Sequence, residues 1–101
     1  MKKIKTHFRK NYKTKHPAYI YEYDKNSNSY KFIGITHSPV TDGMQNIVID
    51  NPNPVDKRKS YFRPFATQDN VKNFSKFEFK NWKSSRSTGQ KARRIKKNFK
   101  K

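Results

Sequence analysis

The chain has 101 residues, no cysteine and no leucine, and carries 25 Lys/Arg against seven Asp/Glu for a net charge of +18. This length allows one small domain, the lack of cysteine excludes disulfides and thiolate zinc sites, and no run is apolar enough for a transmembrane helix. The excess charge lies at the ends: residues 1–16 sum to +7, residues 17–71 to zero and residues 72–101 to +11. Solvated surface charge would be scattered with both signs, so two cationic ends around a neutral middle point to a polyanionic partner.

Residues 1–16 read as a basic N-terminal arm with Lys10, Lys13 and Lys15 as phosphate contacts. Met1 to Thr6 resembles the charged part of a signal peptide, but His7 to His16 supplies no hydrophobic stretch, so the expected location is the cytoplasm. Residues 17–82 read as a small β-rich domain. Ala18 to Tyr23 puts Tyr19, Tyr21 and Tyr23 on one face at period two, and Tyr30 to Thr36 is a second β-rich run. Asp24 to Ser29 between them is turn chemistry, which makes the pair a hairpin. Ile47-Val48-Ile49 is a short buried-type strand ended by Pro52 and Pro54, and Ser60 to Arg63 forms a fourth strand before Pro64. Val71, Phe74 and Phe77 have helical spacing, whereas Phe77-Glu78-Phe79 alternates like a strand, and both readings stay open.

Residues 83–101 read as a linker and a basic C-terminal helix. Ser87 followed by Gln90 matches a capping box, and a helix from about Thr88 aligns Ala92, Ile95 and Phe99 on a narrow stripe. Lys91, Arg93, Arg94, Lys96 and Lys97 surround that stripe. The fold class is therefore α+β or mostly β, a small antiparallel sheet or barrel with a basic C-terminal helix.

These features predict a nucleic-acid-binding protein acting mainly through phosphate contacts from its termini, with Arg63 as a further contact. RNA is favoured over DNA, because Tyr19 and Tyr21 on one strand face can stack on single-stranded bases, although core packing is the other use of such rings. No helix-turn-helix, zinc-finger or RRM signature supports sequence-specific duplex reading. The alternative is a metal-independent endoribonuclease, a toxin with an acidic antitoxin partner. Such an enzyme needs a base near neutral pKa, an acid and cations on the phosphate, which His37, Arg58, Tyr61 and His16 can supply. His37 leads that set, because it ends a predicted strand just before Ser38-Pro39. A third reading is an interaction protein that coats an acidic protein or the ribosome. No cofactor or metal site is expected, since the acids are spread singly among turns and the histidines are unpatterned.

The segments His16-Pro17-Ala18-Tyr19-Ile20-Tyr21, Tyr30 to Ser38 and Asn51-Pro52-Asn53-Pro54-Val55-Asp56-Lys57-Arg58-Lys59-Ser60-Tyr61 resemble a family of small, uncharacterised basic proteins carried on mobile elements of low-GC Gram-positive bacteria. The resemblance covers roughly residues 16–82 and implies no activity. A looser likeness to small barrel-type RNase toxins rests on size, strand content and the segment at His37, and it implies His37, Arg58 and Tyr61 as the positions of interest.

Overall fold

β-branched and aromatic residues alternating between two apolar layers build most of the chain into strands in the computed structural model, which describes residues 2–100. The strands are β1 (Lys2–Lys10), β2 (Pro17–Asp24), β3 (Ser29–Thr36), β4 (Val40–Thr41), β5 (Met44–Gln45), β6 (Ile47–Ile49) and β7 (Ser60–Asn70). A 3-10 turn at Val71–Asn73 follows, and one helix, α1 (Arg86–Ile95), lies near the C-terminus. The main sheet is antiparallel with order β1-β2-β3-β7-β6, and β4 and β5 form a separate two-stranded hairpin. The protein is thus mostly β, an open sheet with one C-terminal helix.

Each face of the sheet carries its own apolar cluster. Tyr19, Tyr21, Ile33, Ile35, Phe62 and Ala66 fill the first face together with Phe8 and Ile49, and α1 covers it with Ala92 and Ile95. Ala18, Ile20, Phe32 and Phe74 form the second, with Ile4 and Tyr30 packed against them. A chain without leucine fills these layers with rings in edge-to-face contact, such as Tyr19 on Phe62 at 5.3 Å and Phe32 on Phe74 at 5.1 Å between centroids.

Bulges decide which face a ring occupies. The β2–β3 register shifts between Ile20 and Glu22, so the period-two face expected for Tyr19, Tyr21 and Tyr23 breaks. Tyr19 and Tyr21 enter the first cluster, while Tyr23 pairs with Tyr30 and packs on its ring, beside the second. A second irregularity sits at Gly34, where β3 residues Ile33 and Ile35 pair with Ala66 and Phe62. Arg63, Pro64 and Phe65 therefore face a single residue, and β7 continues through Pro64 instead of stopping before it. Proline is tolerated there because the ladder is already open and no donor is needed. A Cβ on Gly34 would lie 3.1 Å from Arg63 Cγ, so the glycine makes room for the arginine stem.

Both basic ends are folded onto the sheet. The expected N-terminal arm is the edge strand β1, paired with β2 from Lys2↔Tyr23 to Lys10↔Pro17. After β7 the chain runs as a strap over the second face, where Phe74 seats against Phe32 and Tyr30. It then follows the outer edge of β1: Tyr12 N donates to Asn73 O, Ser75 N to Lys10 O and Phe79 N to Phe8 O. Residues 74–79 form neither helix nor regular strand, with a bend at Lys76 and Phe77, and their backbone groups cover an edge that would otherwise be open to association. Trp82 turns onto the first face against Phe8 and Phe79, α1 follows, and Ala66 exchanges hydrogen bonds with Asn98 and Lys100. The radius of gyration of 12.6 Å agrees with the value of about 13 Å for a folded chain of this length, leaving no long dangling segment.

The helix begins two residues earlier than the capping box suggests. Ser85 is the N-cap, its Oγ accepting from Thr88 N at 3.1 Å and donating to Asp50 Oδ2 at 2.6 Å. Asp50, just after β6, thus fixes where the helix starts and places a carboxylate near its positive end. Ala92 and Ile95 are buried as the stripe predicts, but Phe99 lies past the helix at a bridge to Ala66. Ser85→Ala removes the cap and the Asp50 tie together and is expected to cost about 1 kcal/mol, read as a lower thermal midpoint.

Candidate nucleic-acid interface

The buried stripe of α1 fixes what its other side presents. Thr88, Ala92 and Ile95 face the sheet, so Arg86, Gln90, Arg93 and Arg94, at i, i+4, i+7 and i+8, share the opposite, exposed side, and exposed Lys97 follows in the turn just past the helix. The helical part of this row is about 12 Å long at 1.5 Å per residue, and the row contains no carboxylate. Arg93 and Arg94 lie in the last turn, where they meet the negative end of the dipole.

The remaining helix cations have duties within the fold. Lys91 Nζ donates to Val48 O at 2.6 Å at the sheet edge, and Lys96 Nζ lies 4.5 Å from the Tyr21 ring centroid. Lys91 and Lys96 therefore anchor the helix, whereas Arg93, Arg94 and Lys97 face solvent, joined by Arg86, which the sequence reading left out. Its position became legible only once the cap moved to Ser85.

Lys10, Lys13 and Lys15 are exposed at the end of β1 and in the β1–β2 loop. Asn11, fully buried, organises that loop: its Oδ1 accepts from Lys13 N and Thr14 N, and its Nδ2 donates to Asp69 Oδ2 at 3.1 Å. Asp69 also accepts from Asn73 Nδ2 at 2.7 Å and from Asn70 N, with Lys13 Nζ 3.7 Å away. Burial pushes the Asp69 carboxyl up, but these donors and Lys13 outweigh it and hold the group below its ordinary value. The network joins the loop, the end of β7 and the start of the strap. Lys13 is thereby partly neutralised, while Lys10 and Lys15 stand outside it.

Tyr19 and Tyr21 cannot serve as the stacking platform in this fold. They are 4% and 6% exposed within the first cluster, with the ring of Phe8 against Tyr19 and Lys96 over Tyr21. Burial and the neighbouring Glu22 push the Tyr21 hydroxyl up to about 12. A chain without leucine needs these rings for its core, and that use takes precedence over base stacking.

Two of the residues expected to act in catalysis meet through an acid that the sequence reading did not single out. His37 Nδ1 lies 3.0 Å from Lys59 O and so carries its hydrogen there, and its Nε2 is 3.6 Å from Asp56 Oδ2. Arg58 clamps the same carboxylate: Nη2 donates to Oδ2 at 2.7 Å, Nε to both oxygens and the backbone N–H to Oδ1 at 2.9 Å. These bonds hold the Asp56 carboxyl far below the usual carboxylate range and push Arg58 up. The fork of Arg58 is thus spent inside the β6–β7 loop, and it is His37, through Lys59 O and Asp56, that ties this loop to the end of β3. Tyr61 is half-buried on β7 opposite Thr36 and Val48. His16 stands apart from this group. It lines a separate cleft on the second face together with Arg63.

Three depressed carboxyls, Asp56, Asp69 and Asp24, the last pushed up by desolvation yet held low by hydrogen bonds from Ser27, Asn26 and Gln68, define an acid response. A group whose folded pKa is lowered stabilises fully above its unfolded value, about 3.9 for Asp, and that contribution is lost as pH falls through the folded value. The thermal midpoint is therefore expected to fall below about pH 4. Carboxyl titration followed by NMR is expected to show Asp56 still ionised where free aspartate is protonated. Asp56→Asn and Asp69→Asn should each flatten that acid dependence.

Among the described residues, no group of three or more His, Asp or Glu is placed to hold a metal ion, and no helix is long and apolar enough to cross a membrane. Compared with known proteins, the chain matches no family model, and neither a curated sequence nor a solved structure proves similar to it.

Proposed function

We propose that this protein binds nucleic acid through phosphate contacts, with the exposed row of Arg86, Arg93 and Arg94 on α1 and Lys97 just past it as its centre and Lys10 and Lys15 as outlying contacts. The observation that carries this reading is the acid-free cationic row on a helix whose other side is committed to the core. Phosphate neutralisation by such a row gains free energy from counterion release and carries no sequence preference of its own. A helix of this width also fits the major groove of a duplex, about 12 Å across. With Tyr19 and Tyr21 in the core, a preference for RNA has to come from elsewhere in the chain.

The test is a native gel of labelled single-stranded RNA, duplex RNA and duplex DNA with the intact protein in EDTA, at about 50 and 200 mM salt, run beside a denaturing gel. Shifted, intact strands whose affinity falls steeply with salt are expected. Discrete cleavage products lost in His37→Ala would make the protein a metal-independent ribonuclease. Binding to none of the three would overturn the reading and leave an acidic protein as the partner to seek.

A further inference from the structure

The second face of the sheet holds a cleft of about 370 Å³ where β3 and β7 separate at Gly34. This is near the lower end of the range of about 300–1,000 Å³ for sites that take a small ligand, and it admits a single flat ring with a substituent but not a duplex. Its floor is apolar, with Phe32, Gly34, Ile35 and Phe65, and four threonines, Thr14, Thr36, Thr41 and Thr67, supply hydroxyls.

Two cationic or ionisable groups, Arg63 and His16, converge on it, and among the described residues neither is ion-paired, although the Asp42 carboxylate also lines the cleft. Arg63 is half-buried, and its Nη1 donates to Thr41 O and Asn46 Oδ1, both at 3.2 Å. Its guanidinium carbon lies 5.2 Å from the Phe65 ring centroid. These contacts fix the side chain, yet none of them neutralises it, although a partly desolvated cation is ordinarily paired. The imidazole of His16 makes no hydrogen bond within the described residues, because the bonds at this residue run through its backbone to Thr14 Oγ1 and Asn11 N. Lys100 Nζ adds charge 4.5 Å from the same Phe65 ring. An immobilised, unpaired arginine, a free imidazole and an aromatic wall around an apolar floor suit a phosphate joined to a planar base.

We infer that this cleft binds one unstacked nucleotide of a nucleic-acid strand, its phosphate at Arg63 and His16 and its base in the cavity. The inference builds on nucleic-acid binding by α1 but uses a different surface. It returns a single-strand component to the interface after the tyrosines are assigned to the core. Fixing a group in place before binding lowers the ordering cost on association, which is what the Thr41 and Asn46 bonds do for Arg63. Asp42, an exposed residue of the cleft lining, is a charged acceptor for a base carrying amino or imino donors.

The experiment is an NMR titration of the intact, isotope-labelled protein with each of the four ribonucleoside 5′-monophosphates, and with inorganic phosphate as a separate arm, up to about 10 mM. Saturating shifts are expected at the amides of Gly34, Thr36 and Thr67, weakened at least fivefold in His16→Gln, an exposed change that leaves the fold intact. Arg63→Gln should abolish them. If its thermal midpoint shows that it is unfolded, His16→Gln alone decides. Inorganic phosphate producing the same shifts with the same affinity would overturn the nucleotide assignment, as would shifts confined to α1 or none at all. An Arg93→Gln, Arg94→Gln variant separates the two readings, since loss of strand binding there with nucleotide shifts preserved tests α1 alone.

Discussion

Replacing Arg86, Arg93, Arg94 and Lys97 together by glutamine is expected to weaken duplex binding by about a hundredfold or more at 50 mM salt while leaving the fold intact. Each of these side chains is exposed, three on the side of α1 away from the sheet and Lys97 just past its end, so none gives up a packing contact. Glutamine keeps helix propensity close to that of arginine and lysine, and the loss of Arg93 and Arg94 from the negative end of the dipole costs about 1 kcal/mol. The thermal midpoint should therefore fall by no more than a few degrees as affinity collapses. The same change made at Lys91 and Lys96 should do the reverse and cost stability, because Lys91 ties the helix to Val48 O and Lys96 lies on the Tyr21 ring.

The second large effect is at Asn11. Asn11→Ala removes the acceptor for two backbone N–H groups and one donor to the Asp69 carboxylate in a fully buried position. Leaving buried polar groups unpartnered costs about 1–3 kcal/mol each, more for a charge, so a loss of about 3 kcal/mol is expected. For a domain this small it corresponds to roughly 15 °C in thermal midpoint. Because Asp69 holds the start of the strap through Asn73 as well, amide exchange should accelerate first in residues 71–79 and only then in the sheet.

Asn11 also shows where the sequence stops being legible. Hairpin β2–β3, the strand at Ile47–Ile49, the start of β7 and the buried stripe of the helix follow from local pattern, because each is set by alternation, turn residues or helical spacing within a few positions. β1 does not. Its register with β2 shifts between Lys3 and His7, so Ile4 packs with the second cluster and Phe8 with the first, and no single period describes it. Seven cations around so few apolar residues then favour the reading of an arm. The strap is equally hidden, since its order comes from backbone bonds to β1, which any sequence can make. The β4–β5 hairpin was missed although its Asp42-Gly43 pair is the favoured hairpin turn, both residues taking the positive φ that turn requires.

The site residues divide along the same line. The outward cations of α1 are readable from helical spacing once the buried face is known, while the convergence of His16, Arg63 and Phe65 depends on the Gly34 bulge. Asp56, only two residues from Arg58, could have been found by asking which acid would neutralise that arginine. It brings His37 and Arg58 together, while Tyr61 and His16 stay apart from it.

The central claim is that placement of charge, and not its total, makes α1 the interface. The measurement that tests it is the slope of log affinity against log salt for duplex binding, compared among the wild type, the α1 quadruple variant and a control losing the exposed Lys25, Lys57, Lys59 and Lys72. Both variants lose four charges. The account predicts that the slope falls by about 3.6 for the α1 variant, four contacts at 0.9 each, and stays near the wild-type value for the control. Equal reductions in the two variants would contradict it, because the protein would then bind through diffuse net charge and α1 would hold no special place.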